Sequence, residues 1–261
     1  MLKKDEVFYN DAKWRLKKGE RLVGAWLQTG SPVTAEILAK AEFDFLMVDL
    51  EHGIGDTLTL FNQLTAISNY GVAPLVRAPW NDLATIKRIL DIGVHGLLVP
   101  YVSTKEEAES VIKACKYPPE GIRGIAPSPR AGGFGMNGMN YLSKANEQLL
   151  ILVAIETPQA VLNIEEILSV EGLDGVFIGP MDLSTSMGFF CNPQAQQVKE
   201  AIARVEEAVQ RSDKLIGTIS GSTQQSNELI KKGYNFILAM SDSTTLGKVA
   251  TQCVKEFKEL L

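Results

Sequence analysis

Cysteine is scarce and carries no pattern. Cys115, Cys191 and Cys253 lie far apart, their odd number argues against a disulfide framework, and none has the paired spacing of a zinc site. Reduced thiols in a cytoplasmic protein are the expectation. No apolar run reaches membrane-spanning length, and the opening MLKKDEVFYNDAKWRLKKGE is charged and amphipathic rather than signal-like, which predicts a helix over about 5–18. A basic stripe is also missing. The 26 Lys and Arg face 31 Asp and Glu for a net charge of −5, so neither nucleic acid nor a membrane is an expected partner. Familiar catalytic signatures are absent too: no GxGxxG or GxxxxGK[ST] turn follows a strand, and there is no GxSxG elbow. No strand leads into a lysine, since Lys214 and Lys231 fall before a strand or late in a helix, so a Schiff-base mechanism has no candidate.

What is present is a rhythm. With 45% hydrophobic and 22% charged residues, the 261-residue chain can bury a large core without metal or disulfide support. Short apolar segments alternate with amphipathic ones, predicting strands over 21–27, 43–50, 72–78, 96–100, 149–155, 175–178, 215–219 and 236–240. Helices are predicted over 57–69, 83–92, 105–116, 158–168, 194–211, 223–232 and 245–260, with another opening at Ser31-Pro32, an N-cap followed by proline at the first helical position. Eight strand-helix units predict a (β/α)8 barrel spanning 1–261 as one domain, with an open doubly wound sheet as the competitor. The rhythm breaks only at 117–140, YPPEGIRGIAPSPRAGGFGMNGMN. This Gly- and Pro-rich insertion is expected to be a lid or interface loop, with Arg123 and Arg130 reaching the far end of a substrate or a neighbouring subunit.

In such a barrel the catalytic groups gather where the strands end. The second strand runs out of FLMV into Asp49, Glu51 and His52; the third delivers Arg77, the fifth Glu156, and the sixth the run Gly179-Pro180-Met181-Asp182. Glu156 and Asp182 sit on adjacent strands about 4.8 Å apart. Two oxygen donors with no His or Cys spaced to join them suit a hard divalent ion such as Mg²⁺ or Mn²⁺ that keeps waters and takes ligands from substrate. The plainer alternative makes Asp49, Glu156 and Asp182 helix caps and His52 a loop histidine. Arg77, leaving an apolar strand, needs an anion: an enolate or carboxylate of substrate, or simply Glu51 or Asp91. His52 is the candidate for moving a proton near neutral pH, because His95 begins the fourth strand at the opposite, structural end. Acid, base, arginine and metal together suit enolate chemistry on a 2-oxo acid.

The segments LMVDLEHG, PLVRAPWND, ILDIGVHGLLVP, YPPEGIRG with RAGGFG, LVAIETPQA and GVFIGPMDLS, in this order, resemble the HpcH/HpaI aldolase family of metal-dependent pyruvate aldolases, over about residues 24–245. The resemblance implies a (β/α)8 barrel that exchanges its last helix between subunits of a hexamer built as a trimer of dimers. It implies His52 as general base, Arg77 as stabiliser of the enolate, and Asp91 as the group that tunes the histidine. Glu156 and Asp182 would bind Mg²⁺, Mn²⁺ or Co²⁺, and Gly179, Pro180 and Met181 would contact pyruvate. The implied reaction is reversible cleavage of a 4-hydroxy-2-oxo acid to pyruvate and an aldehyde. Two departures bear on specificity: Ala154 stands where many members have Gln, and Met181 where GPADLS members have a small alanine. DLEHG in place of DGEHAP points to a less characterised branch. An acyl-CoA lyase of the citrate lyase β type is the enzymatic alternative, which would want a basic mouth for the CoA phosphates. A non-catalytic 2-oxo-acid-binding barrel is the other, against which a base beside the metal weighs. The final helix, from Leu246 on, is apolar on one face and caps either its own barrel or a neighbour's.

Overall fold

The alternation of inward and outward side chains along each strand builds the molecule. The computed structural model describes residues 8–261, whose elements run α1 (Asp11–Lys17), β1 (Leu22–Leu27), α2 (Pro32–Lys40), β2 (Phe45–Asp49), α3 (Thr57–Ala66), β3 (Ala73–Arg77), α4 (Leu83–Asp91), β4 (Gly96–Val99) and α5 (Lys105–Cys115). There follow α6 (Gly138–Gln148), β5 (Leu150–Ile155), α7 (Pro158–Leu162), α8 (Ile164–Leu168), β6 (Gly175–Ile178), α9 (Pro180–Ser186), α10 (Gln196–Gln210), β7 (Leu215–Ile219), α11 (Thr223–Lys231), β8 (Phe236–Ser241) and α12 (Asp242–Lys258). The eight strands pair in parallel with their sequence neighbours, and β1 pairs with β8 to close the barrel. The barrel expectation therefore holds, and the open sheet is excluded. Residues 5–7 of the predicted first helix lie outside the described residues; the rest of it begins only at Asp11, capped by the Asn10 side chain.

One phase of each strand packs outward against the helices, as Leu46, Val48, Val76, Val153 and Ile178 do. The other phase fills the interior: Phe45 and Met47, Ala73 and Leu75, Leu150, Leu152 and Ala154, Phe177, Phe236 and Leu238. Large rings crowd the floor, with Phe236 6.3 Å from Phe45 and 6.2 Å from Phe177. They fit because small residues face them; a Cβ on Gly217 would sit 2.1 Å from the Phe236 ring. Continuing the inward phase one step beyond the apolar layers gives Asp49, Arg77 and Glu156, all buried. The same pleat that fills the barrel thus aims three charges into its mouth.

Three elements depart from the sequence reading. The helix expected over 158–168 is two short ones broken at Asn163, whose side chain donates to the Ser103 carbonyl at 2.8 Å. GMNYLSKANEQ forms α6, which the Gly-rich segment before it concealed; its buried Tyr141 and Ala145 pack with Phe8 and Tyr117. The run after β6 folds into α9 with Pro180 in its first turn.

The insertion over 117–140 is not a lid on its own barrel. It joins α5 to β5 and therefore lies at the amino ends of the strands, away from the mouth. There the Arg130 Nη1 donates to the Ile92 carbonyl at 2.9 Å, and Arg123 pairs with Asp91 at 2.7 Å while lying over the Tyr117 ring. Both arginines are anchored to this floor, so neither reaches its own chain's mouth as a substrate contact. His95 belongs to the same end, half-buried with its Nδ1 enclosed and its ring edge against Phe8; desolvation, aided by Arg130, holds its pKa down at about 4.

Candidate active site at the barrel mouth

Asp49 is the hub. Its carboxylate accepts from Arg77 Nε at 2.9 Å and Nη2 at 2.6 Å, from Gln28 Nε2 at 2.9 Å, and from the backbone N–H groups of Glu51 and His52 at 3.1 Å each. Burial pushes this carboxyl's pKa up, but the bonds and charge of Arg77 more than reverse it, leaving it below the ordinary value. Gln28 is itself oriented from the end of β8 and the start of α12, where Ser241 and Ser243 donate to its Oε1. Arg77 is held further by the Trp26 ring, 4.4 Å from its guanidinium carbon, and by Glu51 Oε2, 3.0 Å from Nη1. Four strands thus fix one guanidinium.

Glu51 continues the chain toward the rim, its Oε1 lying 3.9 Å from His52 Nε2. Desolvation raises its pKa, against the pull of Arg77 and His52. The imidazole of His52 is 59% exposed, so it stands at the edge of the mouth where solvent and substrate both reach it.

Glu156 and Asp182 form the second half. The register sets Ile155 beside Ile178, so Glu156 lies next to Gly179 and Asp182 one helical turn further on. A Cβ on Gly179 would lie 2.5 Å from Glu156 Oε1, so only glycine leaves this carboxylate its place. Tyr101 joins the two acids: its N–H donates to Glu156 Oε2 at 3.0 Å, and its phenol stands 3.5 Å from Asp182 Oδ1. Tyr101 does this from φ +54°, a conformation that costs a side-chain-bearing residue on the order of 1–3 kcal/mol and is found where a site demands it. Burial, followed by the neighbouring charges of Asp182 and Glu51, raises the Glu156 carboxyl pKa to about 7.

The predicted residues therefore separate cleanly. Arg77, Glu156, Gly179, Pro180, Met181 and Asp182 come together with His52 at one end of the barrel. Arg77 meets Asp49 and Glu51, not Asp91. Asp91 stands at the far end of α4 and bonds to Arg123, so within one chain it does not touch His52. Sequence reasoning assigned no role to Tyr101, Gln28 or Trp26. The first follows Pro100 directly at the end of β4 and could have been found by the strand-end rule; the other two needed the β1–β2 register.

The profile of the HpcH/HpaI aldolase/citrate lyase family matches residues 22–248. The chain belongs to that family. It is 40% identical over 248 residues to an Escherichia coli 4-hydroxy-2-oxo-heptane-1,7-dioate aldolase, covering 95% of each chain. Among solved structures it matches an HpcH/HpaI aldolase/citrate lyase family protein of Burkholderia cenocepacia J2315 with TM-score 0.91 at 33% identity, over 95% of this chain and 99% of that one. It also matches the citrate synthase SbnG with TM-score 0.86 at 25% identity, over 95% of this chain and 97% of that one. The HpcH/HpaI kinship makes the protein an enzyme of lyase type, and its barrel mouth is where a member of this family has charged groups to work with. Among the described residues no helix is long and apolar enough to cross a membrane, and all three cysteines are free thiols.

Proposed function

We propose that the protein is a divalent-metal-dependent aldolase that reversibly cleaves a 4-hydroxy-2-oxo acid to pyruvate and an aldehyde. The observation that carries this reading is the convergence of Glu156 and Asp182 on Tyr101 beside an Arg77 already fixed by Asp49. A hard cation fits these residues. The donors are all oxygen, Glu156 Oε1 has no hydrogen bond among the described residues, and the Gly179 cradle is shaped to that oxygen. Among the described residues no third His, Cys, Asp or Glu joins the pair, so Mg²⁺, Mn²⁺ or Co²⁺ bound here would take its remaining ligands from substrate and water. When bound, such an ion supplies Lewis-acid polarisation of a keto oxygen.

The side chains supply the rest. Cleavage breaks the bond between C3 and C4 of the substrate: the 4-hydroxyl loses its proton, C4 leaves as the aldehyde, and the electron pair stays on C3 as the enolate of pyruvate, which a proton converts to the methyl group. His52, exposed at the rim beside Glu51, is the group that takes and returns the proton. Arg77, locked by Asp49 and Glu51, presents its remaining N–H groups to the developing negative charge at no cost in reorganisation. The α9 N-terminus, with Gly179, Pro180 and Met181, offers backbone contact to the 2-oxo acid. The test is deuterium exchange of the pyruvate methyl protons by protein supplied with Mg²⁺, Mn²⁺ or Co²⁺. Exchange that disappears in His52→Ala while pyruvate still binds supports the reading; absence of both exchange and cleavage in the wild type ends it.

The working form is proposed to be a homo-oligomer, hexameric by the family's pattern. α12 supports this reading: Asp242 at its start is buried against Gln28, Thr29 and Thr34, whereas Leu246, Val249, Val254 and Phe257 beyond it are all more than half exposed. A helix tied down only at its root leaves an apolar face for a second copy of the chain to cover.

A further inference from the structure

The loops that form the mouth contain no lysine and no arginine. Residues 28–31, 50–56, 78–82, 100–104, 156–157, 179 and 220–222, which follow the first seven strands, carry only acids, His52 and neutral side chains, as does the 187–195 segment beyond α9. Outside these loops, Arg88 of α4 donates to Thr57 Oγ1, at the start of α3, at 3.2 Å. Among the described residues Arg77 is the one cation at the strand ends themselves, and Asp49 and Glu51 already hold it. The two insertion arginines are bound to the floor.

In place of cations the mouth has aromatic surface. The Trp80 and Tyr101 rings lie 6.0 Å apart, tilted by 31°, on the adjacent loops after β3 and β4. They are 57% and 37% exposed, and Met181, after β6, is 42% exposed. Tyr101 carries this surface directly to the reacting end through its contacts with Glu156 and Asp182.

Resting on the aldolase reading, we propose that the aldehyde taken by this chain is uncharged and aromatic or apolar, packed on the Trp80–Tyr101 shelf, and not a carboxylate-bearing aldehyde such as a dioate would release. Beyond the metal held by Glu156 and Asp182, a second carboxylate entering this mouth meets Glu51 and no loop lysine or arginine to receive it. An apolar tail meets two rings and a thioether, contacts that discriminate by about ten- to two-hundredfold.

The experiment runs the reaction toward addition, forming the bond between the pyruvate methyl carbon and the aldehyde carbon. The methyl proton leaves to the base and the aldehyde oxygen gains one to become the 4-hydroxyl. Wild-type protein with Mn²⁺ and pyruvate is given benzaldehyde, butanal or 4-oxobutanoate, the last two differing in chain end alone. Expected kcat/KM falls in that order, with benzaldehyde at least about tenfold above 4-oxobutanoate. Trp80→Ala is expected to narrow the benzaldehyde-to-butanal ratio, and Met181→Arg to raise 4-oxobutanoate relative to butanal. Pyruvate methyl exchange without aldehyde is followed in parallel. Intact exchange with 4-oxobutanoate equal to or above butanal, or ratios that neither variant moves, overturns this inference alone; absence of exchange overturns the aldolase reading beneath it.

Discussion

Metal-free protein should lose stability as pH rises through neutrality, and Glu156 is the reason. An ordinary glutamate carboxyl titrates near 4.5 and that of Glu156 is pushed up to about 7 by burial, Asp182 and Glu51. The folded state therefore holds this proton more tightly than the unfolded chain does. Below 4.5 both states are protonated and the group costs nothing. Between 4.5 and about 7 the unfolded chain sheds the proton first, and above 7 the full penalty applies, on the order of 3 kcal/mol. Glu51 is raised as well and acts in the same direction, whereas Asp49 is lowered and acts only at more acid pH. The isosteric Glu156→Gln isolates the one contribution.

Urea denaturation in the presence of chelator between about pH 5 and pH 8 reads it out. The stability of Glu156→Gln relative to wild type is expected to increase by about 2.5 kcal/mol across that range. A divalent ion should reverse the trend in wild type alone, because the ion displaces the same proton, and its affinity should rise about tenfold per pH unit below 7. A wild-type profile parallel to that of Glu156→Gln, or metal affinity flat across this range, would refute the argument that these acids are held apart from solvent for a cation.

Other perturbations bear on neighbouring links. Arg77→Met strands the buried Asp49 carboxylate and is expected to cost about 3–5 kcal/mol in unfolding free energy, most of it recovered in the double variant with Asp49→Asn. Gly179→Ala, which drives a methyl into Glu156 Oε1, should weaken metal binding in calorimetry by about tenfold or more while shifting Tm by only a few degrees. Leu246→Asp together with Phe257→Asp should lower the sedimenting mass; unchanged assembly would show that the exposed face of α12 is not the interface.

Much of this was readable because strand alternation is a local property. Phe45, Met47 and Asp49, or Leu152, Ala154 and Glu156, form one inward series whichever helix packs outside, so the charged third member announces the mouth. The reading of the insertion as a lid on its own barrel gave way for a different reason. A glycine-rich loop looks like a lid, but its position before β5 puts it at the amino ends of the strands, and connectivity decides which end a loop occupies. Asp91 obeys the same rule within one chain: as the last residue of α4 it arrives near the start of β4. Tyr101 stands where the strand-end rule points, but nothing in PYVST signals the positive φ that turns its N–H to Glu156 and its phenol to Asp182.

The charge at the mouth joins fold to chemistry. Four carboxylates, those of Asp49, Glu51, Glu156 and Asp182, meet one guanidinium, and Arg77 is consumed by the first two. Packing alone would not retain such a surplus, because a buried carboxylate without a partner costs several kcal/mol and apolar residues of the same size would serve the barrel better. The carboxyl of Glu156, raised first by burial and then by Asp182 and Glu51, is where a cation would be felt most. A divalent ion bound there, as proposed, would remove the repulsion and supply charge for a 2-oxo acid. With that ion engaged by the 2-oxo acid, the loops offer no lysine or arginine to a second carboxylate, which on the proposed reading is turned away. One electrostatic arrangement therefore selects both what the site must hold and what it must refuse.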